Sequence, residues 1–108
     1  MAGPIGEFEV LILMAVLRLG DEGYAPAVRG EIERRTGRAV ARGAVYATLD
    51  RLETKGLLAS RVAAEPADNG GRPRRYYRVA PKGVRAIRRT LDDLAQMRDG
   101  LEPLLGKA

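Results

Sequence analysis

Two stretches of the chain carry its strongest structural signals: Gly43-Ala-Val-Tyr-Ala-Thr-Leu-Asp-Arg-Leu-Glu-Thr-Lys-Gly-Leu-Leu58 and Gly70-Gly-Arg-Pro-Arg-Arg-Tyr-Tyr77. The first stretch has the spacing of a short amphipathic helix that runs into the start of an apolar strand. The second stretch opens with glycines, carries several arginines and continues into a strand. A helix followed by a basic hairpin is the order of the recognition helix and the wing in a winged helix-turn-helix, so we predict that fold.

The composition is that of one domain with an excess of positive charge. The chain has 108 residues, a net charge of +5 and an isoelectric point of about 10.1. A basic balance of this size is typical of proteins that bind nucleic acid, although it also occurs in proteins that are merely soluble. Charge supports double-stranded DNA as the partner only in combination with the two stretches above.

Several classes of site are excluded by the residue types present. The chain contains no cysteine and no histidine, so it can form no disulfide, no site with thiolate or imidazole metal ligands and no Ser-His-Asp triad. The glycine pair at 70–71 lacks the spacing and the lysine of a nucleotide-binding loop. We therefore predict no catalytic residues, no metal and no cofactor.

The N-terminal sequence gives no sign of export or of membrane insertion. No basic segment precedes the apolar run Val10–Leu17, as a signal peptide would require. The run is also too short to span a bilayer. We expect a cytoplasmic protein without a membrane partner.

The predicted elements are four helices and two strands. Apolar spacing and helix-ending signals place the helices at 7–19, at 26–36, at 42–56 and from Pro81 to near Asp99. Strands at 57–62 and 74–79 flank a loop rich in glycine and proline. The fold class is mainly α with a small β-hairpin. We expect a winged helix-turn-helix DNA-binding domain over residues 1–80 and a C-terminal dimerisation helix over residues 81–108.

The third helix is expected to meet DNA with one of its faces. Its predicted inner face carries Val45, Leu49 and Leu52. The opposite face is expected to carry Ala44, Ala47, Thr48, Arg51 and Lys55, with Tyr46 on a flank. Small residues let a helix approach a groove closely, and Arg51 can reach base edges or phosphates. The alternative is an amphipathic surface helix that happens to carry charge.

The hairpin is expected to lie along the DNA backbone as a wing. Arg72, Arg74 and Arg75 closely follow its glycine-rich tip. Cations in such a segment can contact phosphates without reading the base sequence. The alternative is a solvated hairpin, which the third helix beside it makes the weaker interpretation.

The first and fourth helices together predict a homodimer. The run Val10–Leu17 is apolar on every side, so a domain of this size is expected to leave part of it uncovered. The fourth helix has apolar residues at alternating three- and four-residue spacing, which is typical of a helix that packs on another helix. Packing within the same domain is the alternative. The predicted interface consists of Leu11, Met14, Ile87, Leu91, Leu94 and Leu101.

The chain resembles the PadR family of bacterial winged-helix regulators over nearly its whole length. The resemblance rests on the spacing of Gly43, Tyr46 and Gly56, on a wing that ends in Tyr76-Tyr77, and on the downstream Pro81-Lys-Gly83. The chain looks like the short-tailed branch, which has a single C-terminal helix for dimerisation. The resemblance implies a dimeric regulator, most often a repressor, that binds an inverted repeat in a promoter operator. It also implies that Tyr46 and the wing cations contact the DNA backbone.

Two positions depart from the family pattern. Ala41 stands where the family often has a hydroxyl residue that can cap the third helix, and Tyr24-Ala25 replaces the common Tyr-Gly. Some relatives bind phenolic acids or planar drugs between the helices of the dimer by means of aromatic residues. This chain has no tryptophan and a single phenylalanine, and its sequence names no small-molecule effector, operator or regulated gene.

The sequence as a whole predicts a sequence-specific DNA-binding transcriptional regulator that acts as a homodimeric repressor. The alternative is a winged-helix adaptor that binds another protein through its third helix without reading DNA. Such an adaptor would have to bury the wing arginines and the third-helix cations without partners, which is costly. The chain is not expected to be an enzyme.

Overall fold

The computed structural model describes residues 5–64 and 72–106. Within these ranges the fold is mainly helical with one two-stranded hairpin, as predicted. A short 3₁₀ helix, Gly20–Glu22, follows the first α-helix. The other elements, in chain order, are α1 (Glu7–Leu19), α2 (Ala25–Thr36), α3 (Arg42–Thr54), β1 (Leu58–Ala63), β2 (Arg74–Val79), α4 (Pro81–Arg98) and α5 (Glu102–Leu105).

The helix ends follow from local chemistry. At the start of α1, the Glu9 carboxylate accepts a hydrogen bond of 2.9 Å from the backbone N–H of Gly6, which satisfies a donor that the helix itself leaves unpaired. Helix α2 ends at Gly37, whose φ of 73° lies in the left-handed region that glycine adopts without strain. Helix α3 has no side-chain cap at Ala41, which confirms the expectation for that position.

The hairpin is antiparallel, with a register that runs from Leu58 opposite Val79 to Ala63 opposite Arg74. The backbone N–H of Tyr77 donates a hydrogen bond of 2.8 Å to the carbonyl of Gly23. This bond ties the hairpin to the turn that precedes α2. The predicted tip of the wing, with its Gly70-Gly71 pair, lies outside the described residues.

The core lies where α1, α3 and the start of the hairpin meet. Its fully buried side chains include Ile12, Leu13, Leu49, Leu52 and Leu57.

Helix α4 crosses this core at very close range. A Cβ atom on Gly83 would lie 2.3 Å from the carbonyl oxygen of Leu57, a distance that no side chain can accept. Glycine at this position therefore allows α4 to pass directly over the chain that enters β1.

The structure covers most of α1 within the chain but leaves part of its apolar run open, with Leu17 49% exposed. The side chains of Val10, Ile12, Leu13, Ala15 and Val16 are buried within the chain itself, because α2, α3 and α4 all contact α1. Leu11 and Met14 are partly buried and pack against the same core. Ile87, predicted at the dimer interface, is also buried in this core. A dimer contact of Leu11 and Met14 therefore stays a prediction, and it could use only the exposed parts of these side chains.

The second half of α4 differs sharply from the first half. Every residue from 91 to 106 is exposed, and these include the predicted interface residues Leu91 (43% exposed), Leu94 (59%) and Leu101. Met97, Leu104 and Leu105 add further exposed apolar surface. Helix α4 ends at Arg98, close to the predicted Asp99. No helix in the described ranges is both long and apolar enough to cross a membrane.

Candidate nucleic-acid interface

The outward face of α3 is rotated from the face that the sequence predicted. Val45, Thr48, Leu49 and Leu52 are the buried residues of this helix. On a helix of 3.6 residues per turn, the side opposite them carries Gly43, Ala47, Asp50 and Thr54. All four of these residues are exposed, as are Ala44 and Tyr46. Asp50 therefore lies near the centre of the exposed side of α3.

Thr48 corrects the sequence prediction most clearly. It was expected on the outward face, but it is only 3% exposed. Its methyl group suits the apolar core. Its hydroxyl oxygen accepts a hydrogen bond of 3.3 Å from Nη2 of Arg51, which offsets the cost of burying a polar group. Thr48 therefore helps to build the core and is not available to DNA.

Arg51 and Lys55 both bind a carboxylate that comes from α1. Oε2 of Glu9 accepts a hydrogen bond of 3.1 Å from Nε of Arg51 and one of 3.0 Å from Nζ of Lys55. Glu9 is buried, whereas the two cations are about half-exposed. Burial raises the pKa of the Glu9 carboxyl, but the hydrogen bonds from Gly6, Lys55 and Arg51 outweigh it, so the net shift is downward.

This ion-pair cluster changes the expectation for Arg51. A bidentate contact to guanine needs two guanidinium donors that point together at the base. In the structure, Nε of Arg51 donates to Glu9 and Nη2 donates to Thr48. These bonds use two of the five N–H donors of the guanidinium, so a base could be met only by the remaining ones. Base reading by Arg51 stays a prediction. Glu9 and its partners on α3 lie more than forty residues apart in the sequence, so no local pattern could identify the cluster.

A groove separates α3 from the wing, and most of the other predicted site residues line it. Its volume is about 600 Å³. Arg42, Tyr46 and Asp50 line it from α3, and the three predicted wing arginines line it from the other side. Tyr24, Pro26 and Tyr77 also contribute to its walls. The described lining thus contains four arginines, which are Arg42, Arg72, Arg74 and Arg75.

The structure therefore brings Tyr46 together with Arg72, Arg74 and Arg75, as one DNA-binding surface requires. It also adds Arg42, Asp50 and Tyr24, which the sequence reasoning did not include. Arg42 was missed because the predicted face was centred on Ala47 and Arg51. The first residue of the helix lies on the side nearer the wing, and only the packing of the hairpin on α3 shows this.

Stacked arginines and tyrosines hold the wing in place. The guanidinium of Arg61 lies 4.7 Å from the ring centre of Tyr76, and that of Arg74 lies 4.6 Å from the ring centre of Tyr24. The two tyrosine rings are 5.7 Å apart in a tilted arrangement. Cation–π and ring contacts of this kind favour one orientation of the strands relative to the start of α2.

Hydrogen bonds link the wing strands to α3 as well. Nη1 of Arg75 donates to Oγ of Ser60 at 2.9 Å, and the Ser60 hydroxyl donates to Oε2 of Glu53 at 2.5 Å. The neighbouring Tyr77 is buried, and burial together with the negative charge of Asp50 raises the pKa of its hydroxyl. These hydrogen bonds connect β2 to β1 and β1 to α3. Arginines line the groove from both α3 and the wing.

Comparison with known proteins places this arrangement in a family. The model of the transcriptional regulator PadR-like family matches residues 12–89, which is more than half of the chain. A transcriptional regulator of Mycobacterium tuberculosis is 45% identical over 65 residues, and the match covers 57% of each chain. The chain thus spans just over half the length of this curated relative.

Solved structures share the fold over most of the chain. The crystal structure of a PadR family transcriptional regulator from Eggerthella lenta has a TM-score of 0.70 and 28% identity, and the match covers 94% of this chain and 88% of that chain. A PadR family regulator from Clostridium difficile has a TM-score of 0.73 and 22% identity, with 94% and 100% covered. At this lower identity the second match shows the fold alone. The family model and the shared winged-helix fold show that this chain belongs to the transcriptional regulator PadR-like family.

Proposed function

We propose that this regulator is a homodimeric repressor that binds an inverted repeat in promoter DNA. The observation that carries the proposal is the groove between α3 and the wing. It combines an exposed helix face of small residues with arginines on both sides. An α-helix fits the major groove of B-DNA, and cations beside it can contact the flanking phosphates. Promoter DNA of a bacterium lies in the cytoplasm, and the proposal places the protein there.

Each part of the site has a proposed role. Ala44 and Ala47 let α3 approach the bases closely, and they can contact thymine methyl groups. Tyr46, Arg72, Arg74 and Arg75 contact phosphates and fix the position of α3 in the groove. Arg51 and Lys55, which Glu9 holds beside α1, are proposed to reach phosphates at the edge of this surface and not base edges.

The dimer is proposed to form through the second half of α4. Leu91 and Leu94 follow the predicted helical spacing along α4, and Leu101 lies just beyond the end of that helix. All three are exposed in the single chain. Monomeric proteins rarely leave a long apolar stripe in contact with water. A second copy that presents the same stripe would cover it and would relate the two DNA-binding grooves by a two-fold axis. Such an axis is what an inverted repeat requires.

The proposed function is tested by selecting duplexes from a random DNA library with the purified protein. We expect one enriched sequence that contains an inverted repeat. Placed at a promoter in an in vitro transcription reaction, this sequence should make transcript yield fall as protein is added. Recovery of unrelated sequences only would contradict specific binding. An increase in transcript would contradict the repressor role while leaving DNA binding intact.

A further inference from the structure

Asp50 is the acidic residue in an otherwise basic groove. Among the described residues that line the groove between α3 and the wing, it is the only one that carries a negative charge. It lies near the centre of the exposed side of α3, opposite the buried residues Val45, Leu49 and Leu52. The side chain therefore belongs to the surface that the proposed function turns toward DNA.

Within the described chain the Asp50 carboxylate has an electrostatic interaction with the Tyr77 hydroxyl but no hydrogen-bonded partner. The carboxylates that contact or lie on other parts of α3 are engaged: Glu9 binds Gly6, Arg51 and Lys55, and Glu53 accepts a hydrogen bond from Ser60. In residues 5–64 and 72–106, no hydrogen bond or ion pair to the carboxylate of Asp50 is formed. It is not held by the arginines that share the groove with it.

A carboxylate in this position weakens binding to any DNA unless it meets a hydrogen-bond donor. Phosphates repel the carboxylate, and its negative charge also weakens the attraction between the surrounding arginines and the phosphates. In the major groove, the edges of guanine and thymine offer oxygen or nitrogen acceptors to a side chain, and these also repel a carboxylate. Cytosine instead presents its N4 amino group, which is a donor.

We propose that Asp50 is a specificity-determining residue that accepts a hydrogen bond from the N4 amino group of cytosine at one position in each half-site. This inference rests on the proposed function, because it assumes that α3 enters the major groove. It assigns to Asp50 the base-reading role that the sequence suggested for Arg51. Adenine is a poorer partner, since its N7 acceptor lies beside its amino group and faces the second carboxylate oxygen.

The test compares DNA selection by the wild type with selection by Asp50→Asn and Asp50→Ala. Asparagine has the same shape, but it can donate to N7 of adenine while it accepts from the N6 amino group. Asp50→Asn should therefore change one cytosine of each half-site to adenine, with a change in relative affinity of roughly tenfold. Asp50→Ala should accept any base at that position. The side chain of Asp50 is exposed and forms no hydrogen bond or ion pair within the described chain. Both variants should therefore fold like the wild type.

Glu53→Gln is the matched control. It removes the same charge from the same helix, and its side-chain oxygen can still accept from the Ser60 hydroxyl. We expect this variant to select the same bases as the wild type, with at most a uniform gain in affinity from the lost negative charge.

Three results separate the possible failures. If Asp50→Asn and Asp50→Ala raise affinity for all sequences alike and select the wild-type bases, Asp50 only tunes charge and the inference is wrong. If Glu53→Gln changes the same base position as Asp50→Asn, the effect does not come from a contact of Asp50, which also overturns the inference. If the wild type itself enriches no common sequence, sequence-specific DNA binding is contradicted. The proposed contact of Asp50 with cytosine is then contradicted as well.

Discussion

At the scale of single residues, the carboxylate of Glu9 joins the N-terminus of α1 to the C-terminal half of α3. It accepts hydrogen bonds from Gly6, Arg51 and Lys55 while being nearly buried. Hydrogen bonds to a charged group in such a setting are stronger than those between neutral groups. Glu9 therefore ties α1 to the C-terminal half of α3 and holds Arg51 and Lys55 beside α1.

Replacing Glu9 with glutamine should destabilise the protein at neutral pH by about 1–2 kcal/mol, because the charge-assisted bonds are lost while the packing is kept. The pKa of Glu9 is lowered from its ordinary value of 4.5 by folding. Its contribution to stability is therefore fully present above that value and disappears as the pH falls through the lowered pKa. Urea unfolding of wild type and variant, at equal protein concentration across this range, measures the difference.

Glu7→Gln is the control for this experiment. Glu7 is exposed and pairs with Arg38 at 2.9 Å, so solvent and salt screen its contribution. Its removal should change stability less than the removal of Glu9. A Glu9→Gln protein as stable as the wild type at neutral pH, or one whose deficit persists in acid, would show that the cluster does not stabilise the fold.

At the scale of elements, side-chain contacts tie the base of the wing to the rest of the domain. Arg74 stacks on Tyr24, and Arg75 binds Ser60, which in turn binds Glu53 of α3. These contacts join β2 to both helices of the helix-turn-helix. The arginines can then present their charge to a phosphate backbone without first ordering the strands, which lowers the entropy cost of binding.

Arg74→Ala should weaken binding to specific and non-specific DNA by the same factor and reduce the salt dependence of binding by about one ion. Arg74→Lys should keep the salt dependence but bind less tightly than the wild type, because lysine retains the charge and lacks the planar group that stacks on Tyr24. Fluorescence anisotropy titrations at several salt concentrations measure both quantities. If Arg74→Ala left the affinity and its salt dependence unchanged, Arg74 would not contact a phosphate.

Much of this element structure could be predicted from the sequence, because the signals are local. Gly20, Gly37 and Pro81 mark helix ends, and they place α1, α2 and the start of α4 within a residue of their observed bounds. The exposed face of α3 could not be predicted in the same way. Thr48 counts as polar in any pattern, yet its burial depends on a methyl group and on the donor that Arg51 supplies.

The packing of the elements against one another could not be predicted from the sequence either. Whether the apolar surface of α1 is covered within the chain depends on how α4 packs, and Gly83 allows that close packing. The groove depends on the angle between the hairpin and α3. Neither property leaves a periodic signal, and this is why Asp50 and Arg42 were not recognised as parts of the site.

At the scale of the whole molecule, the first half of α4 packs on the core and the second half is exposed. Ile87 and Gly83 bury the first half against the core, while residues 91–106 are exposed. The division of the chain at residues 80 and 81 remains a prediction, since the start of α4 packs firmly on the winged helix. The exposed half is the part that the proposed dimer would use.

Leu94→Glu should convert the proposed dimer into a folded monomer, because it places a charge in the proposed interface at a residue that is already 59% exposed in the single chain. Val62→Glu is the matched control, since Val62 is exposed to a similar degree (56%) but lies on β1. Analytical ultracentrifugation and circular dichroism should show a helical monomer for the first variant and a dimer for the second. A wild-type protein that is monomeric at micromolar concentration would contradict the proposed interface.

The central claim is that two copies of the groove between α3 and the wing bind two half-sites of one operator. Hydroxyl-radical footprinting of the selected operator tests this most directly. We expect two protected segments related by two-fold symmetry on one side of the duplex, with centres one helical turn, or roughly 34–36 Å, apart. Weakened protection at the flanks of both segments is expected for Arg74→Ala. A single protected segment, or two segments without two-fold symmetry, would contradict the account.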